Sequence, residues 1–364
     1  MNIQFEQIPT SIRKPGVYME FNTSLAVRTL PANAQRVCLI VPLGTGATVP
    51  ANEVHQVYSD AEAKKLFGGT VAAAMTRAAI SANPYLDLSI VAAAGTTTPD
   101  ITSALNATAP GNFNILVPAW FDLPALTKLR THIEHYTDAV EQQSLLGIAA
   151  TTSTLSAATT LATGLNNGAI SLALLTGSPS SEAEIAAAYA AVIAGEADPA
   201  RPLNGLALTG ILPPPLAKRL TRTEQEAAFA NGITPLEVGP GDAVQIVRAI
   251  STYTKNAAGA DDIALLDLTT MRTLYYVRQA CRERIRLRFP RDKLSARTPP
   301  KVRSELLDVL KKLEELEIVE NVDDNADGLI VQRSTQDPSR LDARIPTDVV
   351  NGLHVFAARI DLLL

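Results

Sequence analysis

The chain has 364 residues, 46% hydrophobic and 19% charged, with a net charge of −5. That size and apolar content suffice for two or three domains with ordinary cores, and they exclude a disordered chain or a polybasic nucleic-acid binder. Two cysteines (Cys38 and Cys281) and four histidines exclude a disulfide framework and leave little acid–base capacity.

The first residues, MNIQFEQIPTSIRK, have no apolar core of the secretory type. The Ala-rich run Ile185–Gly195 is too short to cross a bilayer. Ile3 and Phe5 alternate with Gln4 and Glu6 in a strand-like arm, and a loose stretch leads to Pro15-Gly16-Val17-Tyr18. Strands are expected over Ser24–Leu30 and Arg36–Pro42, then helices over Asp60–Phe67 and Val71–Asn83. Buried strands follow at Leu86–Ala92 and Phe113–Pro118, an amphipathic helix at Leu123–Val140, and strands at Ser144–Ala150 and Ile170–Leu175. Ser181 with Glu182 and Glu184 signals the start of a helix reaching Ala194. This alternation predicts an α/β fold, a mostly parallel sheet flanked by helices.

The pattern changes near residue 205. Leu212-Pro213-Pro214-Pro215 cannot sit inside a regular element, and a loop is expected from there to Gly239-Pro240-Gly241. Asp242 is expected to cap a short helix, and Ile250–Thr254 to form a strand. Leu265–Phe289 reads as one long helix. Pro300–Glu317 reads as a second, with Val302, Leu306, Val309, Leu310, Leu313 and Leu316 on one face. Short strands are expected at Ile318–Val322 and Gly328–Arg333. The expected organisation is an N-terminal arm (1–22), a middle α/β domain (23–240), a C-terminal α+β domain (241–351) and a C-terminal arm strand (352–364).

The last stretch, GLHVFAARIDLLL, places His354, Phe356, Ala358, Ile360, Leu362 and Leu364 on one side of a period-2 pattern. A hydrophobic strand at a terminus must join a sheet, since an unpaired one is an aggregation hazard. Two such arms predict strands completed by neighbouring copies.

Catalytic patterns are weak. His132 and His135 share a helix face but bring no third metal ligand. Gly44-Thr45-Gly46 follows a strand yet lacks the third glycine of a dinucleotide loop, and Pro50 falls where the receiving helix should run. Ser178-Pro179-Ser180-Ser181 has no His or Asp partner nearby in sequence. An enzyme on the α/β domain is therefore the minor alternative. More informative is the basic run Arg282, Arg284, Arg286, Arg288, Arg291, Lys293, Arg297 and Lys301, opposed by Glu283 and Asp292 alone. A helix C-terminus attracts two or three cations, and eight suggest a docking surface for an acidic protein. The run lacks the interleaved aromatics of a single-strand nucleic-acid site.

Several blocks together resemble the contractile tail sheath proteins of Mu-like phages. They are IRKPGVYMEFNTSLAVRTLP (Ile12–Pro31), GLALTGILPPP (Gly205–Pro215), RTEQEAAFANGITPLEV (Arg222–Val238), VRAISTYTKN (Val247–Asn256), RFPRDKLS (Arg288–Ser295) and QDPSRLDARIPTDVVNGLHVFAARIDLLL (Gln336–Leu364). One departure is that the extra β-rich domain usual in Mu-like sheaths after the strand at Leu86–Ala92 does not appear where Ala94–Asp100 leads into the next helix: either this is a short sheath, or the sequence omits an outward-facing segment.

The resemblance implies a structural subunit that stacks as hexameric rings around a tail tube and contracts to drive the tube through the host envelope. It implies a virion location, with assembly in the host cytoplasm. The implied partners are further copies of itself, the tube protein, and baseplate and tail terminator proteins, with no cofactor, no metal, no direct nucleic acid and no membrane insertion. A type VI secretion or tailocin sheath is the alternative within this class. Carried onto this sequence, the inter-subunit arms hold Ile3, Phe5, Val17, Tyr18, His354, Phe356, Ile360, Leu362 and Leu364. Candidate tube contacts are Arg282, Arg284, Arg286, Arg288, Arg291 and Lys293, with Arg303, Lys311 and Lys312 on the next helix.

Overall fold

A computed structural model describes residues 14, 16, 30–94 and 101–362. Ile3, Phe5, Val17, Tyr18 and Leu364, most of the expected strand Ser24–Leu30 and residues 95–100 lie outside them.

The alternation read from the sequence builds one eight-stranded sheet. Its strands are β1 (Arg36–Pro42), β2 (Val54–Gln56), β3 (Asp87–Ala93), β4 (Ile115–Pro118), β5 (Leu146–Thr151), β6 (Ile170–Leu174), β7 (Thr234–Val238) and β8 (Val244–Ile246). Their order is β2-β3-β1-β4-β5-β6-β7-β8. The six inner strands pair in parallel, while β2 and β8 close the edges antiparallel. Parallel strands covered on both faces read as unbroken apolar runs, and RVCLIVP, ILVP and ISLAL do so.

Helices α1 (Asp60–Phe67), α2 (Val71–Ala82) and α6 (Glu182–Gly195) pack together on one side, and α3 (Thr102–Thr108), α4 (Leu123–Tyr136) and α5 (Leu155–Leu165) on the other. Ile185 to Ile193 of α6 are all buried, because α6 is held between the sheet and α2. Ser181 and Glu184 cap it reciprocally, as the sequence signalled.

The stretch expected as a loop after the prolines differs. It contains α7 (Arg222–Ala230), opened by a second reciprocal cap between Thr221 and Glu224, and then β7. Asp242 caps no helix; it ends a single 3-10 turn before β8. Ile250–Thr254 is no strand, keeping only a bridge from Ile250 to Asp267. Its polar groups bond to Leu265, Asn166 and Asn167 instead. α5 gives no periodic signal because its buried face is Ala158, Ala162 and Leu165, and two of those are alanine.

The C-terminal part packs α8 (Leu268–Arg288) against α9 (Thr298–Glu315). Two small antiparallel sheets flank them, β9 (Val319–Glu320) with β12 (Asp348–Val349), and the hairpin β10 (Ile330–Arg333) with β11 (Leu341–Arg344). The first core takes in Ala249, Leu268 and Tyr275, and the second begins at Tyr276. The 21-residue α8, about 31 Å long, therefore belongs to both. β8 lies beyond the expected cut at residue 240, yet it is hydrogen-bonded into the large sheet.

Candidate assembly surfaces

The C-terminal segment finds no ladder to join among the described residues. Among the described residues, nothing after the bond from Val350 N to Ile318 O joins the arm backbone to the body. Leu353, Val355, Phe356, Ile360 and Leu362 are 78 to 96% exposed. Five large apolar side chains in ten residues, with unpaired backbone beside them, form a sticky strand edge. His354 differs, because its ring is turned into the body with only 14% of the side chain exposed.

The basic run divides into two groups. Arg284 is buried, with Nη1 3.1 Å from Glu305 and 2.6 Å from Asp308. Arg288 meets Glu305 at 3.2 Å, Lys312 meets Asp308 at 3.8 Å and Lys311 meets Asp323 at 2.8 Å. Arg303 donates to the carbonyls of Ala326 and Leu329, bracing the turn before β10. Arg282 donates to the carbonyl of Gln142. Arg286, Arg291 and Lys293 are exposed, and among the described residues no ion pair holds them. Sequence could not show that Arg284 and Arg288 are neutralised, because their carboxylates, Glu305 and Asp308, sit on α9, about twenty residues downstream.

Between α8, α9 and the hairpin β10–β11 runs an open groove of about 700 Å³, lined by Val277, Ile285, Phe289, Leu306, Leu341 and Ile345 among others. No local pattern announces it, since its walls come from three separate elements.

The weak catalytic patterns have structural explanations. His132 is buried against Tyr136, ring centroids 4.5 Å apart, and burial lowers its pKa to about 4. His135 is exposed and packs edge-on against the same Tyr136 ring at 4.8 Å. Ser178 Oγ donates to the carbonyl of Leu212 at 2.7 Å and Ser180 Oγ accepts from Leu212 N at 3.0 Å, which fastens the proline loop. Gly44 lies against the end of α1, where a Cβ would stand 2.5 Å from the carbonyl carbon of Gly68. Close backbone approach, not phosphate binding, calls for glycine there. Cys38 and Cys281 are buried free thiols. Among the described residues no group of three or more His, Cys, Asp or Glu is placed to hold a metal, and no helix is long and apolar enough to cross a membrane.

Residues 94–252 match the phage tail sheath protein central domain, and residues 260–362 match the phage tail sheath C-terminal domain. The chain belongs to the phage tail sheath family. This sheath chain is 30% identical over 283 residues to the Mu-like prophage FluMu tail sheath protein of Haemophilus influenzae. The match covers 74% of the chain and spans 58% of that relative's length. Its fold is similar to that of the sheath tail protein from Desulfitobacterium hafniense, with a TM-score of 0.64 at 11% identity over 93% of this chain and 97% of that one. It is also similar to the helical sheath of the anti-feeding prophage in its contracted state, with a TM-score of 0.65 at 14% identity over 96% and 98% of the two chains. A sheath tail protein from Listeria innocua gives a TM-score of 0.64 at 12% identity, over 89% and 94%.

Proposed function

We propose that this chain is the structural subunit of a contractile tail sheath, polymerising with copies of itself as stacked hexameric rings in a virion. The observation that carries the reading is the arm, residues 353–362, which presents exposed apolar side chains and unpaired backbone on a member of the sheath family. Strand addition to a neighbouring copy satisfies both, through main-chain hydrogen bonds that resist separation while bodies rotate. The small sheet β10–β11 has free edges among the described residues, and it is the acceptor we favour. The N-terminal arm, with Ile3, Phe5, Val17 and Tyr18, would join the same mesh.

In this reading the large sheet with α1 to α7 forms the middle domain, and α9 with the two small sheets forms the inner domain facing the tube. Arg286, Arg291 and Lys293, exposed members of the basic run with no ion pair among the described residues, are the tube contacts we favour over Arg282, Arg284, Arg288, Arg303, Lys311 and Lys312. Baseplate and terminator proteins would cap the stack at its ends. The role is mechanical rather than catalytic, with energy held in the extended lattice.

The test is expression of the chain alone with negative-stain microscopy. Long tubes are expected, and deleting Leu353–Leu364 should leave a folded monomer that forms none. A deletion variant that still polymerises would sink the arm argument. A requirement for a second, different chain would favour the type VI arrangement.

A further inference from the structure

Residues 353–362 turn one side chain into the body, and it is His354. Its Nδ1 stands 2.9 Å from Asn204 Nδ2. The amide donates there, which leaves the ring proton on Nε2, buried and facing Asp267 Oδ1 at 3.5 Å without a hydrogen bond. Asp267 is itself fixed, because Arg248 Nε and Nη2 reach its two oxygens at 2.8 and 2.7 Å. It is also the residue that opens α8. The backbone is fitted as closely, since a Cβ on Gly352 would lie 2.6 Å from Pro202 Cγ. On either side of His354, Leu353 and Val355 are 80% and 78% exposed.

We propose that His354 is the fixed root of the C-terminal arm, held by its hydrogen bond to Asn204 and by burial beside Asp267, so that free reach toward a second copy begins at Val355. The inference rests on the arm reading given above. A strand offered from a long loose tether is diluted over the volume it sweeps, and fixing the root raises its effective concentration at the acceptor. The position of the root therefore selects which neighbour the free part of the arm can meet.

The charged groups facing the ring are Arg248, from the segment after β8, and Asp267 at the start of α8. Burial and the Arg248 cation hold the imidazole pKa below its ordinary value, and Asp267 pulls the other way. A depressed pKa means that the docked ring is neutral. The clasp is complete above about pH 6.5, the free imidazole value, and it is lost as pH falls through the lower docked value.

The experiment measures the critical concentration for tube formation, by sedimentation and microscopy, on the full chain. His354→Ala and Asn204→Ala should each raise it three- to tenfold, with unfolding midpoints unchanged, and the double variant should be no worse than the poorer single. The wild-type value should rise between pH 7 and pH 5, and His354→Gln should remove that dependence. Asn204→Asp, near-isosteric and unable to donate to a neutral Nδ1, should reverse it, and this arm decides the matter if an alanine variant is destabilised. Wild-type assembly by the single variants, strict additivity, or a pH profile indifferent to residues 204 and 354 overturns the clasp. Deleting Leu353–Leu364 separates the two claims. An inert deletion beside normal point variants refutes the clasp alone, and a deletion that assembles refutes the arm reading.

Discussion

Replacing Arg284 with alanine should unfold the α8–α9 part far more readily than removing any other cation of the basic run. Its side chain is 3% exposed, and its two carboxylate partners, Glu305 and Asp308, are 12% and 25% exposed. Breaking a buried ion pair from one side costs about 3–5 kcal/mol, because the partner charge stays behind unpaired. Here the abandoned carboxylates keep some compensation, since Arg288 remains 3.2 Å from Glu305 and Lys312 3.8 Å from Asp308. Asp308 also reaches water. The lower end of that range, about 3 kcal/mol, is therefore expected. Arg284→Lys retains the charge and, because Nη1 alone makes both contacts, one ammonium can make them again from a shorter side chain, so at most about half that loss is expected. Urea unfolding of the soluble chain, followed by circular dichroism, should show the midpoint falling in that order with little change in slope. Arg286→Ala is the control, an exposed site where about 0.5 kcal/mol is the most expected. A loss under about 1 kcal/mol for Arg284→Ala would falsify the view that this residue belongs to the core rather than to the docking surface.

His132 gives a pH prediction. Its folded pKa of about 4 lies below the ordinary 6.5, so the unfolded chain binds the proton first as pH falls. Stability is full above pH 6.5 and drains away down to pH 4, by up to about 3 kcal/mol, and His132→Gln should flatten that window in a thermal-shift series. Gly44→Ala should lose well over 1 kcal/mol, since the new methyl would meet the Gly68 backbone, which cannot step aside as a side chain could. Wild-type thermal unfolding by that variant would remove the close-packing explanation. Ser181→Ala and Thr221→Ala should each cost about 1 kcal/mol through their caps, read by urea unfolding. In tube co-sedimentation, Arg286→Glu with Arg291→Glu and Lys293→Glu should lose attachment while leaving monomer stability unchanged.

Legibility followed how local each signal was. β1, α1, α2, β3 and α6 were placed within a residue or two, because burial on both faces writes an unbroken apolar run and capping residues mark helix starts. α7 was overlooked although Thr221 and Glu224 announce it, since a nine-residue helix between Gly- and Pro-rich stretches reads as loop. α5 buries alanines and so has no contrast to detect. At the assembly surfaces, the arm's apolar row was visible as a pattern. The neutralised half of the basic run was not, because Glu305 and Asp308 meet Arg284 only after α9 folds back on α8.

By itself the sequence determined the α/β alternation, the helical pair at the C-terminal end and the apolar terminal arm, since each is written in the spacing of adjacent residues. Its blocks also carried the family. The tertiary structure alone decided that β8 joins the large sheet beyond residue 240, that Arg284, Arg288, Arg303 and Lys311, four of nine candidate tube cations, are ion-paired or hold carbonyls on α9 and the turns after it, and that His354 turns inward to Asn204 and Asp267. Each of these depends on groups distant in sequence meeting in space, and no periodicity along the chain records such a meeting.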